Sequence, residues 1–171
     1  MSRPPIVCDT TLLLYLGRIG RLDLLPALFD PVHIPQAVVL ELDMGRLVRQ
    51  DTINPRTLEW ARLVSVPPDL VASLPPNRLG TGERAVIAHA LAYPGCIAGL
   101  DDLQARRLAE SLNLTVVGTI GLLLRSKHAG LIPTVQPLLD AVVAGGFHLH
   151  PTLYQVALDL AGERPAGPAE T

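Results

Sequence analysis

Five acidic side chains stand where strand-like and helix-like patterns meet. Asp9 follows the apolar run Ile6–Cys8, Glu41 lies inside AVVLEL, Glu83 follows Gly80-Thr81-Gly82, and the adjacent pair Asp101 and Asp102 follows CIAGL. Singly, each has an ordinary account. An aspartate at such a junction caps a helix, a glutamate in a first helical turn is favoured by the helix dipole, and Glu41 alone reads as a solvated position on an amphipathic helix. A cap needs only one acid, so one member of the Asp101-Asp102 pair is left without an account. Two adjacent carboxylates at the end of a buried strand repel each other and lose hydration. A hard divalent cation explains the whole set, because it needs several oxygen ligands and its charge offsets their repulsion. No histidine or cysteine shares these positions, which points to Mg²⁺ or Mn²⁺ rather than zinc.

The elements that must position these acids follow from periodicity and punctuation. Ile6–Cys8 reads as a strand ending at Asp9. TLLLYLGRIGRLDLLPALF has apolar residues at helical spacing, broken at Gly17 and Gly20 into two helices. PVHIP is a short strand, and Gln36 to about Val48 returns to helical spacing with Pro35 at its first turn. NPRTLEWARLVSV predicts a helix and then a strand near Leu63–Val66, and PPDLVASLPPN an ordered loop or helical turn. GTGERAVIAHALAY is a helix with Thr81 or Gly82 near its cap and Pro94-Gly95 stopping it. CIAGL and TVVG read as strands around the helix DLQARRLAESL. Three further helical segments, TIGLLLRSKHAG, TVQPLLDAVVAGG and PTLYQVALDLAG, each end at glycine. Short apolar strands alternating with helices predict a parallel sheet of about four to five strands covered on both faces, an α/β fold of three layers. Ligand sites in such sheets gather at the carboxyl ends of the strands, where Asp9, Asp101 and Asp102 fall.

Length and composition restrict the function. A chain of 171 residues with 49% hydrophobic residues suits one compact domain. We read it as residues 1–162, with a disordered tail over 163–171 of polar, Pro- and Ala-rich composition. No signal peptide is read at the start, and no apolar run approaches the ~20 residues of a membrane span. Cys8 and Cys96 lie outside any metal-ligand spacing and read as small buried thiols in a reducing cytosol. The five histidines do not cluster with the acids in sequence, and His148 and His150 alternate in FHLHP. Aromatic residues at 4% are too few for a platform that stacks single-stranded bases. The net charge of −2 argues against a nucleic-acid partner only until it is divided. Of 16 acidic residues, setting the five candidates aside leaves 11 against 14 basic ones, an excess of +3. Arg18, Arg21, Arg46, Arg49, Arg106, Arg107, Arg125 and Lys127 are candidates for tracking a phosphate backbone.

The segments IVCDTT, I-P-x-x-V-x-x-E-L, L-G-x-G-E, D-D-x-x-A-R-x-L-A and V-x-G-T-x-G-x-L-L resemble, in order, the PIN-domain family. The resemblance runs over roughly residues 5–162 and is closest to a subgroup marked by G-E and D-D-x-x-A-R. It implies an α/β/α fold and a metal-dependent endoribonuclease, including the VapC-type toxins of bacterial toxin–antitoxin pairs. It also implies a cytoplasmic protein with an RNA substrate, Mg²⁺ or Mn²⁺ as cofactor, and a small antitoxin and a homodimer as partners. By it Asp9, Glu41, Glu83 and Asp102 take the family's acidic positions, with Asp9, Asp102, Glu83 and Asp101 as metal ligands. Asp102 is preferred to Asp101 as the strand-end aspartate by its distance to Leu108-Ala109. Thr10, Thr11 and Thr119 are hydroxyls for the metal shell or a phosphate. One departure is Glu83, where typical members carry Asp. A phosphoacceptor domain of the receiver type is disfavoured, because the acid pair follows the fourth strand and no Lys sits at TVVGTIG. A D-x-D phosphatase is disfavoured because Asp9 is followed by Thr-Thr. A catalytically idle PIN fold acting as a binding module, and a housekeeping RNA-processing nuclease, are the alternatives that stay open.

Overall fold

In a computed structural model the described residues are 2–164, and they fall into two compact units divided after Thr119. The first unit holds five parallel strands: β1 (Ile6–Cys8), β2 (Val32–Pro35), β3 (Ala61–Val64), β4 (Ile97–Gly99) and β5 (Val116–Val117). Their spatial order is β3-β2-β1-β4-β5. The register pairs Val7 with His33 on one side and with Ala98 on the other. Every residue of β1, β2 and β4 is buried, as the continuous apolar runs require when helices cover both faces. The edge strands are less covered: Val116 of β5 is half-buried, and Arg62 and Leu63 of β3 are exposed, a charged edge that resists pairing with another chain. The result is the three-layer α/β/α architecture with a central parallel sheet.

Helices follow the strands closely. α1 (Thr10–Arg18) begins one residue after Asp9 and buries Leu12, Leu13 and Leu16. α2 spans Leu24–Leu28, and α3 (Gln36–Val48) starts directly from β2 and buries Val38, Val39 and Leu42. α4 (Pro68–Ala72) is a short helix in the proline-rich stretch. α5 (Thr81–Ala92) buries Gly82, Ala85, Val86, Ile87, Ala88 and Ala90, small enough to lie close against β1, β2 and β4. α6 (Leu103–Ser111) leaves β4 through Leu100, Asp101 and Asp102. Each fully buried leucine or isoleucine contributes roughly 1.5–3 kcal/mol, so the sheet interior supplies most of the stabilisation.

Four local expectations are corrected. Gly17 does not break α1, because a helix tolerates glycine and the close approach of Ile53 uses the missing side chain; a Cβ at Gly17 would lie 2.6 Å from Ile53 Cγ2. The break falls at Gly20, whose φ of +69° favours glycine. The predicted helix before β3 is a single 3-10 turn (Pro55–Thr57), since Asn54 and Pro55 start a turn that no apolar stripe continues. The strand after it begins at Ala61 and ends at Val64, earlier than Leu63–Val66, because Pro67 and Pro68 cut it short. Pro35 is the cap of α3 rather than a residue of its first turn.

The second unit contains the rest of α7 (Thr119–His128), then α8 (Gln136–Ala144) and α9 (Pro151–Leu160). Glu163 ties it together: its carboxylate accepts from the backbone N–H groups of Val135 (2.7 Å) and Gln136 (3.0 Å) at the start of α8, and from Lys127 Nζ at 2.9 Å. Arg164 pairs with Asp159 at 3.1 Å. Of the tail read from 163 onward, these two residues are therefore bonded, and 165–171 lie outside the described residues. His150 caps α9 by accepting the Thr152 N–H at 3.1 Å. Among the described residues no helix is long and apolar enough to cross a membrane.

Candidate active site

The strand order reverses between β1 and β4: from β1 the chain runs outward through β2 and β3, and then returns to the other side for β4 and β5. At such a switch point the carboxyl ends of adjacent strands open a crevice. Asp9 ends β1 and Asp101 and Asp102 end β4, and the Asp9 N–H donates to Gly99 O at 3.0 Å. The N-termini of α1 and α6 lie at this end of the sheet, following the strand ends directly.

Asp9 is nearly fully buried, and its Oδ1 accepts the Thr10 N–H at 2.7 Å at the head of α1. Burial raises its pKa to about 7, against the pull of the Thr10 N–H; the charges of Glu83, Glu41 and Asp101 push it the same way as burial. Those three acids therefore face Asp9 closely enough to be felt.

Glu41 is held at both oxygens. Its Oε2 accepts the Thr10 hydroxyl, and its Oε1 accepts the Gly82 N–H at 2.9 Å. Gly82 is needed for that approach: a Cβ there would lie 2.6 Å from Glu41 Oε2. The carboxylate thus clamps α3 to the heads of α1 and α5, which explains a glutamate amid Val38, Val39, Leu40 and Leu42.

Glu83 is half-buried and its Oε2 accepts the Gly80 N–H at 3.1 Å, the glutamate half of a capping box. A point at the Cβ position of Gly80 would lie 3.8 Å from Glu83 Oε2 and 4.0 Å from Glu41 Oε1, so the two carboxylates flank the same glycine. Burial raises the Glu83 pKa despite the Gly80 bond, with Asp102 and Glu41 adding to the rise. Asp102, at the exposed mouth, caps α6 through Oδ1 on Ala105 N at 2.9 Å.

Asp101 differs from its neighbour. Its Oδ1 accepts the Thr119 N–H and its Oδ2 the Thr119 hydroxyl, both at 2.7 Å. Burial raises its pKa, while Thr119 and the Arg106 charge pull it down. Arg106 Nη1 donates to Leu100 O at 3.2 Å beside it. Gly118 admits this arrangement, since a Cβ there would lie 2.5 Å from Arg106 Nη1 and 2.8 Å from Asp101 Oδ1.

The structure thus brings Asp9, Glu41 and Glu83 together, sets Asp102 against Glu83 and Asp101 against Asp9, and commits both oxygens of Glu41 and of Asp101 to the protein. Asp9, Glu83 and Asp102 each keep one carboxylate oxygen with no hydrogen bond from the described residues. The fully buried Thr119 turns its hydroxyl to Asp101, and Thr10 turns its hydroxyl to Glu41. Thr11, half-buried in the first turn of α1, makes no side-chain hydrogen bond to these acids among the described residues. The positioning roles of Gly82 and Gly118 were not read from the sequence; G-E and V-x-G-T carried the only signal.

Most of the proposed phosphate-tracking cations are engaged elsewhere. Arg21 pairs with Asp23, Arg46 with Asp43, Arg49 with Asp51 and Lys127 with Glu163. Arg18 lies 5.3 Å from the centre of the Tyr15 ring. The partner carboxylates are among the 11 acids already counted, so the net excess of +3 stands, but it does not rest on these paired residues.

A donor set made only of carboxylate oxygens, three of them with an uncommitted atom, suits a hard divalent cation. Comparison with curated proteins gives no match, so no relative's substrate bears on this chain. A family model described as PIN domain matches residues 5–163. PIN domains are typically nucleases and generally use divalent metals. With its sheet order, its strand-end acids and a match over nearly its whole length, the chain belongs to the PIN-domain family, a nuclease fold.

Proposed function

We propose that the chain is a Mg²⁺- or Mn²⁺-dependent endoribonuclease in which Asp9, Glu83 and Asp102 hold the metal and Glu41 fixes the geometry around them. The observation that carries this reading is the convergence of Asp9, Glu41 and Glu83 at the β1–β4 switch point, with Asp102 beside Glu83. Burial raises Asp9 and Glu83, the charges of the neighbouring acids add to the rise, and that repulsion has no structural benefit of its own. A divalent ion, when bound, lowers the pKa of water and neutralises the phosphoryl oxygens.

The chain's own residues do the rest. Asp9 offers Oδ2 from a buried, water-poor floor, where its charge is worth most. Glu83 and Asp102 offer one oxygen each from the heads of α5 and α6. Either free oxygen is suited to orient an attacking water and to accept its proton. Glu41 touches no substrate in this scheme; through Thr10 and Gly82 it keeps the heads of α1 and α5 at a fixed separation. Asp101 positions the β5–α7 turn through Thr119. The family match supports treating residues 1–162 as one PIN-like domain, and the resemblance of motifs supports a cytoplasmic toxin of a toxin–antitoxin pair that forms a homodimer and binds a small antitoxin.

The test is cleavage of a folded RNA substrate by the purified full chain with Mg²⁺, Mn²⁺ or chelator, in wild type and in Asp9→Asn and Asp102→Asn. Metal-dependent cleavage lost in both variants is the expected result. Cleavage that survives both substitutions overturns the site. No cleavage with any RNA, together with no saturable Mg²⁺ or Mn²⁺ binding, favours an idle binding module. For the toxin role, induced expression arrests growth, and co-expression of a short neighbouring open reading frame relieves it.

A further inference from the structure

A second group of ligand atoms lies away from the acids. His33 in β2, His89 in the last turn of α5 and Cys96, the residue before β4, bring one ligand atom each to within 4.8 Å of one another. His33 and Cys96 are buried and His89 is half-buried. The acids cluster around the first turn of α5, whereas His89 lies six residues beyond Glu83, about 9 Å further along the helix axis.

The imidazoles meet nitrogen to nitrogen, His89 Nε2 and His33 Nδ1 being 2.8 Å apart. Such a contact needs one nitrogen protonated and the other bare. Burial lowers His33 to about 4, with the charges of His89 and Arg62 acting the same way, and burial lowers His89. One ring thus donates its N–H to the bare nitrogen of the other, burial favours the neutral form of both, and the Cys96 thiol lies within 4.8 Å of the pair. Tyr93 fixes the ring planes: it meets His33 edge to face at 4.9 Å and stacks on His89 at 5.7 Å.

We propose that His33, His89 and Cys96 form a three-ligand site for a borderline-soft transition metal ion, Zn²⁺ above all, separate from the carboxylate site. Tetrahedral zinc with Zn–N of about 2.0–2.1 Å and Zn–S of about 2.3 Å sets nitrogens roughly 3.3 Å apart and sulfur roughly 3.6 Å from each. A modest opening of the His–His contact and a closing of the thiol reach those distances. Nitrogen and thiolate donors select zinc over Mg²⁺, which prefers oxygen. On binding, the ring that held the shared proton carries it on its other nitrogen. Cys96 Sγ–H gives up its proton to solvent, so one proton leaves for each ion taken up. A water would complete the four ligands of a tetrahedral ion.

The test uses metal-stripped full chain titrated with Zn²⁺ alone against a chromophoric chelator, and separately with Co²⁺. Wild type and Asp9→Asn bind one equivalent with equal affinity. Cys96→Ser and His89→Gln weaken it about tenfold or more. Co²⁺ gives a thiolate charge-transfer band that Cys96→Ser abolishes. The Co²⁺ spectrum of wild type needs no variant to fold, so it stands if a substitution destabilises β4. Three results overturn the site: no Zn²⁺ uptake, uptake that Asp9→Asn removes, or a Co²⁺ complex without the thiolate band. Since Asp9→Asn removes cleavage in the nuclease reading and leaves this site intact, the two readings fail separately.

Discussion

Asp9 shows how much a single residue can cost a fold and what that cost implies. Its pKa lies above the ordinary 3.8, at about 7, so the folded chain holds this proton more tightly than the unfolded chain does. The contribution to stability is full below pH 3.8 and is lost as pH rises through about 7. In chelator-treated protein, Asp9→Asn therefore raises the melting temperature at pH 8, by on the order of 2–4 kcal/mol of stability, and leaves it nearly unchanged at pH 4. Thermal melts across pH check this; a variant less stable than wild type at pH 8 contradicts it. Asp101 behaves oppositely. Removing it leaves the Thr119 N–H and hydroxyl without acceptors in a buried place, so Asp101→Ala costs about 2–3 kcal/mol in denaturant unfolding, whereas Asp102→Asn costs under about 1. Equal losses for the two would show that Thr119 finds another partner. The acid pair thus divides into an anchor with both oxygens engaged and a helix cap with one oxygen to spare, a distinction that the sequence DD does not express.

Between elements, the informative contact is the three-helix clamp at Glu41. The sequence located α1, α3 and α5 because their apolar residues repeat at helical spacing, though it broke α1 too early at Gly17, and it read Glu41 only as a solvated face. What it lacked was the 41-residue separation between Glu41 and the Gly82 N–H it accepts. Gly82→Ala sets a Cβ 2.6 Å from the Glu41 carboxylate. This overpacking destabilises by about 1–3 kcal/mol and lowers cleavage with little effect on helix content, measured by circular dichroism beside an RNA cleavage assay. An alanine variant of wild-type activity would mean that the clamp does not set the geometry. The missed helix before β3 has a related cause, since NPRTLEW has helical residues but too few apolar partners to dock a helix, and a 3-10 turn suffices.

Across the whole molecule, the strand order is the decisive feature, because it sets two residues 92 positions apart, Asp9 and Asp101, on neighbouring strand ends. The same crossover brings His33, His89 and Cys96 together from β2, α5 and the residue before β4, although Cys96 has no metal-ligand spacing in sequence. The helical unit beyond Thr119 is closed by Glu163, a residue that composition had assigned to the tail. Glu163→Gln weakens the acceptor at the head of α8, so backbone amide exchange at Val135 and Gln136 speeds up about tenfold while amides of β1 and β4 are unchanged. Uniform acceleration across the chain would show instead that the two units open as one.

The sequence alone determined what depends on near neighbours and on periodicity: five strands, most helix ends, the parallel sheet and the acidic types at strand ends. Those are local properties, because backbone preference and the alternation of apolar residues act over a few positions. The tertiary structure decided which acids keep a free oxygen, which arginines are already paired, and that two histidines share a proton beside a thiol. Those depend on which distant groups approach within about 3 Å, the range over which hydrogen bonds and ion pairs form.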